Sequence, residues 1–330
     1  MSHKTMLRMT APLRESLEIP YHDIGPKDRP PRITFVAGLH GNELNGIFVL
    51  SRLADFLTSV EECRRPGPQL HARTLIIPAV NVLGVNTRSR HWPFDQTDIN
   101  RMFPGYEAGE TTQRIAHAVL AITRPAHYRV DIHSSNVDFE EFPQVRLYEP
   151  TEDERTMARS FGLPAVVERP ADTIFASTIG HAWRAWGGRN FVIQAGQAGT
   201  LQLTHCARLY RALVAFLTRT GILEGVTLAD EEEDVHYFGV DQTLPLVAET
   251  AGLLISHREV GQWLRAGDVI GHVYDGFEGK LLDEIKAPVF GQLSGLRRQP
   301  LLFEGDLIAR LHSHQPLSKR ATISLQGQHQ

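Results

Sequence analysis

Apolar, β-rich segments alternate with amphipathic helical segments over the first two thirds of the chain, and this alternation constrains the fold most strongly. Six segments are predicted to be strands: 33–39, 73–80, 128–132, 144–148, 164–167 and 190–195. Three segments repeat apolar residues at helical spacing: 42–59, 111–123 and 204–221. Strands that alternate with helices form a largely parallel sheet covered on both faces. We therefore predict a three-layer α/β/α domain with a mixed, mostly parallel sheet.

The pattern changes near residue 224, where an acidic and weakly periodic stretch follows the last helical segment. Short β-rich segments punctuated by glycine come after it: 253–256, 268–274, 287–293 and 302–311. Such segments are typical of a small all-β module. A chain of 330 residues also exceeds the usual size of a single core. We therefore predict three parts: an α/β domain over 1–225, a linker over 226–239 and a β-rich domain over 240–330.

Charge and cysteine content argue against several classes of protein. The formal net charge is -4 and the isoelectric point is about 6.5, which favours neither a nucleic-acid partner nor an anionic membrane. The sequence has no apolar run of about 18 residues, so we expect no membrane span. The N-terminal residues have no signal-peptide pattern. Cys63 and Cys206 are isolated thiols, which indicate a reducing compartment, and we predict a cytoplasmic protein.

Two histidines and a glutamate stand where a metal site is expected. His40 and Glu43 lie at the turn between the first predicted strand and its helix, and His133 directly follows the strand 128–132. Because sites in open α/β sheets form at the carboxyl ends of strands, these side chains are expected to converge. Two histidines, a carboxylate and an open position are typical of catalytic zinc, and Asp131 is placed to orient a ligand histidine. The alternative is a capped helix start with His40 on the surface.

A long polar loop is predicted from Asn81 to Gly109. Loops of that length without periodic structure are usually functional. This one carries five charged or amide side chains near the metal candidates: Arg88, Arg90, Asp98, Asn100 and Arg101. Guanidinium groups suit carboxylate recognition and oxyanion stabilisation. Composition alone favours the alternative of a solvated basic loop, and the nearby metal candidates favour a functional one.

Four motifs, taken in order, resemble the succinylglutamate desuccinylase/aspartoacylase family: GLHGNELNG, NVLGVNTRSR, TDINRMFPG and VDIHSS. This family is a branch of the zinc carboxypeptidase fold. The resemblance covers roughly residues 33–200, and the β-rich C-terminal module also resembles the family's. It implies a zinc-dependent amide hydrolase, a deacylase, that acts on a small N-acyl amino acid or a related N-acyl amine.

The resemblance also implies roles for individual residues. It implies that one Zn²⁺ is held by three side chains: His40, Glu43 and His133. Counting residues along the loop from Asn81, the resemblance implies that Arg90 polarises the substrate carbonyl. Arg88 is a less favoured candidate for the same role. It implies that the substrate carboxylate is bound by two side chains: Asn100 and Arg101.

Gln194 departs from the family pattern. The family places a catalytic glutamate on the late strand, as general base and then acid, and here that stretch reads FVIQAG. An amide cannot take up a proton at neutral pH, so Gln194 is expected to orient water or substrate instead. Three hypotheses stay open: another carboxylate is the base, the metal acts without a base on an activated substrate, or the protein binds without hydrolysis. The candidate carboxylates are Glu140, Glu141, Glu168 and Asp172.

We therefore predict a deacylase, and the alternative is a non-hydrolytic small-molecule-binding protein on a degenerate hydrolase scaffold. The segment EIKAPVFGQLSGL is similar to barrel-sandwich domains that carry biotin or lipoate on a lysine. Lys286 precedes a proline at a strand start, so we interpret it as structural. The C-terminal module is expected to cover the cleft or to form a homo-oligomer interface.

Overall fold

The structure is a computed structural model that describes residues 3–64, 67–171, 175–228 and 234–317. The helices in these ranges are α1 Leu44–Glu61, α2 Val82–Thr87, α3 Thr111–Thr123, α4 Glu152–Ala158, α5 Ile179–Arg184 and α6 Leu203–Arg219. Short 3₁₀ turns lie at Ile99–Arg101, Arg159–Phe161, Phe175–Ser177 and Val240–Gln242. No helix in the described ranges is long and apolar enough to cross a membrane.

The strands of the first two thirds are β1 Lys4–Thr10, β2 Ser16–Ile24, β3 Ile33–Ala37, β4 Gln69–Leu70, β5 Thr74–Ile77, β6 Tyr128–Ser135, β7 Phe139–Tyr148, β8 Ala165–Arg169, β9 Arg189–Gln197 and β10 Leu223–Glu224. Those that follow are β11 His236–Phe238, β12 Thr243–Val247, β13 Gly252–Ser256, β14 Trp263–Leu264, β15 Val269–Tyr274, β16 Leu281–Lys286, β17 Gly291–Arg297, β18 Leu301–Leu302 and β19 Leu307–Ser313.

One mixed sheet forms the middle of the molecule, with the strand order β1-β2-β5-β3-β6-β9-β7-β17-β19-β12. The neighbours β5, β3, β6 and β9 are parallel, and every residue of β3 and β5 is buried. Continuous apolar runs of this kind are typical of parallel strands that are covered on both faces. The predicted mixed, mostly parallel sheet is confirmed.

Helices cover both faces of this sheet. Successive residues of a strand point to opposite faces, so Phe35 of β3 packs with α1 and α6 while its neighbour Val36 packs with α3 and α5. Phe216 of α6 is fully buried in the first layer, and Trp183 of α5 is fully buried in the second. Each such side chain contributes about 1.5–3 kcal/mol by leaving water. These layers are the predicted α/β/α arrangement.

The C-terminal strands continue the central sheet. Strand β17 pairs antiparallel with β7, with Gly295 opposite Glu141, and β19 and β12 follow it. A second sheet, β16-β15-β13-β18, packs over this extension around buried residues that include Leu254, Ile270 and Leu311. Strand β11 lies within the predicted linker and pairs parallel with β8. The limits 1–225, 226–239 and 240–330 stay a prediction.

Two features of the N-terminal half differ from the sequence-based expectations. Strands β1 and β2 form an antiparallel pair that was not predicted, and β1 is the edge strand of the sheet. The segment predicted as a loop from Asn81 to Gly109 contains the short helix α2, so its description as a loop without periodic structure was wrong. The Asn81 side chain begins this helix by accepting a hydrogen bond from the Gly84 amide at 2.8 Å, which satisfies one of its free donors.

Candidate active site

Two polar side chains of the turn between β3 and α1 point into the protein interior. His40 is 3% exposed and Glu43 is 2% exposed. Glu43 occupies the N-cap position of α1, but its side chain makes no capping hydrogen bond. A Cβ atom on Gly41 would lie 2.2 Å from the carbonyl carbon of Gly84, so the close approach of the turn to α2 requires glycine here. The alternative of a surface His40 at a capped helix start is therefore wrong.

His133 reaches the same place from the neighbouring strand. Ala37 of β3 pairs with Ile132 of β6, so His133 lies beside the turn that carries His40. The Glu43 carboxylate bridges the two imidazoles: Nδ1 of His40 lies 2.7 Å from Oε1, and Nδ1 of His133 lies 2.9 Å from Oε2. One ligand atom from each of the three residues lies within 4.8 Å of the other two.

The Nε2 atoms of both histidines, on the side of each ring away from Glu43, contact carboxylates. Nε2 of His40 lies 3.0 Å from Asp98 Oδ1, and Nε2 of His133 lies 2.8 Å from Asp131 Oδ2. A proton held on Nε2 by these carboxylates would make the Nδ1 atoms, which face Glu43, the ones that bind a metal, an arrangement common around metal-binding histidines. Asp131 orients His133 as expected. The matching contact of Asp98 was missed, although Asp98 stood among the polar loop residues.

The charge balance of this group favours a cation. Burial opposes ionisation of Glu43, but the charges and hydrogen bonds of His40 and His133 outweigh it and hold the pKa of Glu43 below its usual range. Burial likewise opposes protonation of His133, yet Asp131 and Glu43 outweigh it and raise the pKa of that imidazole. Two imidazoles and a carboxylate, backed by two further carboxylates, are a donor set that fits a zinc ion.

A cavity of about 320 Å³ opens over the three residues. Arg90, Asn100, Arg101 and Gln194 line it. Arg90 donates from Nη1 to Glu43 Oε1 at 3.1 Å, and 37% of its side chain is exposed. The structure therefore brings these four predicted site residues to the same cavity as the metal candidates.

Arg88 does not line this cavity. It ends α2 in the left-handed conformation, with φ of 57°, and it is exposed. Asn100 and Arg101 both line the cavity, and Arg101 Nη1 donates to the Asn100 carbonyl at 3.0 Å, which holds the two residues together. The Asn100 side-chain oxygen accepts from the Ile179 amide at 3.1 Å, which orients its NH₂ group near His133.

Gln194 lies directly beside His133, since the two residues pair across β6 and β9. It is 5% exposed, and its side-chain oxygen accepts a hydrogen bond from Arg146 Nη1 at 3.3 Å. Because a guanidinium group can only donate, it fixes the amide with its oxygen towards Arg146. The NH₂ group is then the part of Gln194 that is left for other contacts.

Comparison with known families identifies the chain. The sequence model of the succinylglutamate desuccinylase/aspartoacylase catalytic domain matches residues 30–219, more than half of the chain. The chain belongs to the succinylglutamate desuccinylase/aspartoacylase family. The match spans the three metal candidates, the polar loop and Gln194.

Individual relatives of this family member cover most of its length. It is 26% identical over 290 residues to the N-alpha-acetyl-L-2,4-diaminobutyric acid deacetylase of Halomonas elongata, covering 84% of this chain and 81% of that protein. The product-bound ectoine utilization protein EutE (DoeB) of Ruegeria pomeroyi superposes with a TM-score of 0.74 at 22% identity, over 93% of each chain. A succinylglutamate desuccinylase/aspartoacylase of Rhodobacter sphaeroides gives a TM-score of 0.75 at 20% identity, over 96% of each chain. These two likenesses show the shared fold.

Three of the four carboxylates considered as substitutes for the family's catalytic glutamate lie outside the metal cavity. Glu140 contacts His205 and Arg298, Glu141 accepts from Arg146 at 2.6 Å, and Glu168 accepts from Arg155 at 2.8 Å. Among the described residues, none of these three glutamates lines the metal cavity. Asp172 lies outside the described residues.

The contact of Asp98 with His40 leads to a prediction on metal affinity. We expect Asp98→Asn to weaken zinc binding by about 10- to 100-fold, because the amide cannot hold the His40 proton as a carboxylate does. A competition titration with a chromogenic chelator measures this affinity. Asp95→Asn is the matched control, since Asp95 is an exposed residue of the same loop. Equal zinc affinities in the two variants would show that Asp98 does not support the metal.

Proposed function

We propose that this family member is a zinc-dependent deacylase that hydrolyses the amide bond of a small N-acyl amino acid or a related N-acyl amine. The observation that carries the proposal is the buried group of His40, Glu43 and His133 beneath a cavity lined by arginine and amide side chains. The relative from Halomonas elongata supports this class, because its name describes a deacetylase of an N-acetyl amino acid.

In this proposal His40, Glu43 and His133 hold one Zn²⁺. When bound, the ion would act as a Lewis acid for the water and for the amide carbonyl. Asp98 and Asp131 would keep the Nε2 protons of the two histidines in place, so that the Nδ1 atoms, which face Glu43, would bind the ion. The Ser134 amide donates to Glu43 Oε2 at 3.1 Å, which fixes the orientation of the bridging carboxylate.

Arginine and amide side chains position the substrate in this proposal. Arg90 stands beside Glu43 with part of its guanidinium exposed to the cavity, where it stabilises negative charge that develops on the amide oxygen. Asn100 and Arg101 present donors from one wall and bind the substrate carboxylate. Arg88 is less suited to either role because it is exposed outside the cavity.

Gln194 acts as a hydrogen-bond donor in this mechanism. Its oxygen is taken by Arg146, so its NH₂ group orients the attacking water or the substrate. General acid–base assistance is typically worth about 10²–10⁴ in rate, so hydrolysis without it is slower but is not abolished.

A panel of N-acyl amino acids, assayed with and without a zinc chelator, tests the proposed function. We expect turnover of at least one member, loss of that turnover with chelator and its recovery when zinc is restored. Turnover that survives complete removal of the metal would contradict the zinc mechanism.

A second candidate function is a non-hydrolytic small-molecule-binding protein. It is favoured by Gln194 at the position of the family's catalytic glutamate and by the engagement of Glu140, Glu141 and Glu168 outside the metal cavity. Binding of panel members without any turnover would support this second function.

The variant Gln194→Glu separates the two functions further. We expect kcat/KM to rise by less than about tenfold, because Arg146 keeps the new carboxylate ionised and therefore a weak base. Steady-state kinetics on the best panel substrate measures the change. Gln197→Glu is the control, since it makes the same change three residues along β9 and outside the cavity lining. A gain of about 10²–10⁴ in Gln194→Glu alone would instead identify an inactivated hydrolase site.

Location and partners also belong to the proposal. Cys63 and Cys206 are both free thiols, which supports the proposed cytoplasmic location. Homo-oligomer formation and the lack of nucleic-acid or membrane partners stay predictions. The proposed partner is a small N-acyl substrate.

A further inference from the structure

A second cavity of about 320 Å³ adjoins the metal cavity behind Gln194. Arg146, Tyr148 and Gln194 line both cavities and so form the shared wall between them. The remaining lining residues are Ser135, Glu141, Arg169, Pro170 and Arg310. A group that enters this second cavity therefore lies beside the residue that replaces the family's catalytic glutamate.

Positive charge exceeds negative charge in this second cavity. Arg146, Arg169 and Arg310 face one acidic residue of the lining, Glu141, which is 2% exposed. Arg146 Nη2 lies 2.6 Å from both oxygens of Glu141, and Arg310 Nη1 donates to the same carboxylate. One carboxylate thus serves two arginines, and its oxygens are already engaged before Arg169 is considered.

Among the described residues, the guanidinium group of Arg169 has no hydrogen-bond acceptor. Burial and the positive charges of Arg146 and Arg310 lower the pKa of Arg169 to about 9. The buried Nε of Arg146 also has no hydrogen-bond partner among these residues. Arg146 and Arg310 are accounted for because they neutralise Glu141. Neutralisation of Glu141 gives no role to Arg169.

His312 adds no further charge from below. It is fully buried, and burial together with the charges of Arg169, Arg310 and Arg146 holds its pKa well below the usual range. Its Nε2 donates to Gln144 Oε1 at 3.0 Å. The charge that faces the second cavity is therefore that of the three arginines and Glu141.

We propose that Arg146, Arg169 and Arg310 form an anion subsite that binds a carboxylate or a similar small oxyanion next to the metal cavity. Guanidinium groups present paired N–H donors that match the two oxygens of a carboxylate. The anion supplies an acceptor for the guanidinium group of Arg169, which has none among the described residues. The claim that the subsite lies beside the reacting amide rests on the proposed function. The claim that the subsite binds an anion does not depend on that function.

The subsite also gives a reason for an amide at position 194. A glutamate there would pair with Arg146 and remove one of the charges that attract the anion. The neutral Gln194 accepts from Arg146 without cancelling its charge. The presence of glutamine at position 194 therefore has two consequences: the family's carboxylate is lost, and Arg146 keeps its charge for the anion subsite.

The bound anion has two sources that an experiment can separate. It is either a second carboxylate of the substrate, on its acyl or its amine side, or a free anion that binds beside the substrate. Succinate serves as the free probe. Two substrate pairs test the tethered source: N-succinyl-alanine against N-butyryl-alanine, and N-acetyl-glutamate against N-acetyl-glutamine.

Anion binding is measured first, without turnover. The zinc-loaded chain is unfolded thermally over a series of succinate concentrations, with sodium chloride holding the ionic strength constant. We expect Arg169→Gln to raise the half-saturating succinate concentration by about 10- to 100-fold, the size of one lost charged hydrogen bond. Arg310→Gln removes a second guanidinium independently and is expected to act in the same direction. Arg265→Gln, at an exposed position, is the control and should match the wild type.

The substrate pairs are assayed next with the same variants. If the anion belongs to the substrate, Arg169→Gln lowers kcat/KM for the charged member of one pair about 10- to 100-fold more than for its neutral partner. If no pair responds but succinate binding depends on Arg169, the subsite takes a free anion. Succinate binding that is the same in wild type, Arg169→Gln and Arg310→Gln would overturn the proposal. A wild type that binds succinate through Arg169 but hydrolyses nothing would overturn the proposed function alone.

Discussion

Replacement of His133 by alanine is expected to abolish stoichiometric zinc binding and to lower kcat/KM by at least about 10³-fold. His133 is one of three candidate ligands, and its ring also separates Glu43 from Asp131. Without it, two buried carboxylates face each other across an incomplete donor set. Metal analysis of the purified variant and steady-state kinetics measure the two effects.

His257→Ala is the matched control for this prediction. His257 is an exposed histidine of the C-terminal part, and its ring contacts His272 rather than a carboxylate of the site. We expect wild-type zinc content and kcat/KM in the control. Circular dichroism checks that the His133→Ala variant is folded, and thermal unfolding with added zinc should stabilise the wild type but not this variant. A folded His133→Ala chain with full zinc content would show that the ion is held elsewhere.

Arg90→Gln is expected to lower kcat by about 10²–10³-fold while zinc content stays the same. Arg90 lines the cavity beside Glu43, so the loss removes a charge that acts on the developing oxyanion. Arg88→Gln makes the same chemical change two residues earlier, at an exposed position outside the cavity. We expect less than about a threefold effect there, as for most surface substitutions.

The comparison of these two variants decides whether Arg90 or Arg88 polarises the substrate carbonyl, which the sequence left open. Kinetics on one substrate, with metal content measured in parallel, is sufficient. A large loss in Arg88→Gln with little change in Arg90→Gln would reverse the assignment and would require the loop to rearrange when substrate binds.

The elements that were predicted from sequence carry their signal locally. Helix α3 was predicted at its observed limits, because its apolar residues repeat at helical spacing over thirteen positions. Helix α2 has six residues, too few for a periodic pattern to be visible. The edge strand β1 has no buried residue, so its apolar signal is weak and it was missed.

The metal candidates were predictable because topology brings the ends of neighbouring parallel strands together. His40 follows β3 and His133 lies on β6, and these two strands are adjacent in the sheet. The anion subsite had no such signal. Arg310 meets Glu141 across a separation of 169 residues, through the pairing of β7, β17 and β19. No local pattern encodes that register.

The same reason explains why the candidate bases could not be ranked from sequence. Glu140 and Glu141 are neighbours in the chain, but alternate residues of a strand point to opposite faces. Glu140 therefore contacts His205 of α6, whereas Glu141 faces Arg146 and the second cavity. Which face carries the cavity depends on strand pairing rather than on composition.

The claim that His40, Glu43 and His133 hold one zinc ion is tested most directly by metal analysis of the purified chain combined with zinc-edge X-ray absorption. We predict one zinc per chain, bound by two imidazole nitrogens and a carboxylate oxygen, and its loss in His40→Ala. A chain that binds no zinc from a zinc-buffered solution, or whose zinc keeps the same ligands after His40 is replaced, would contradict this account.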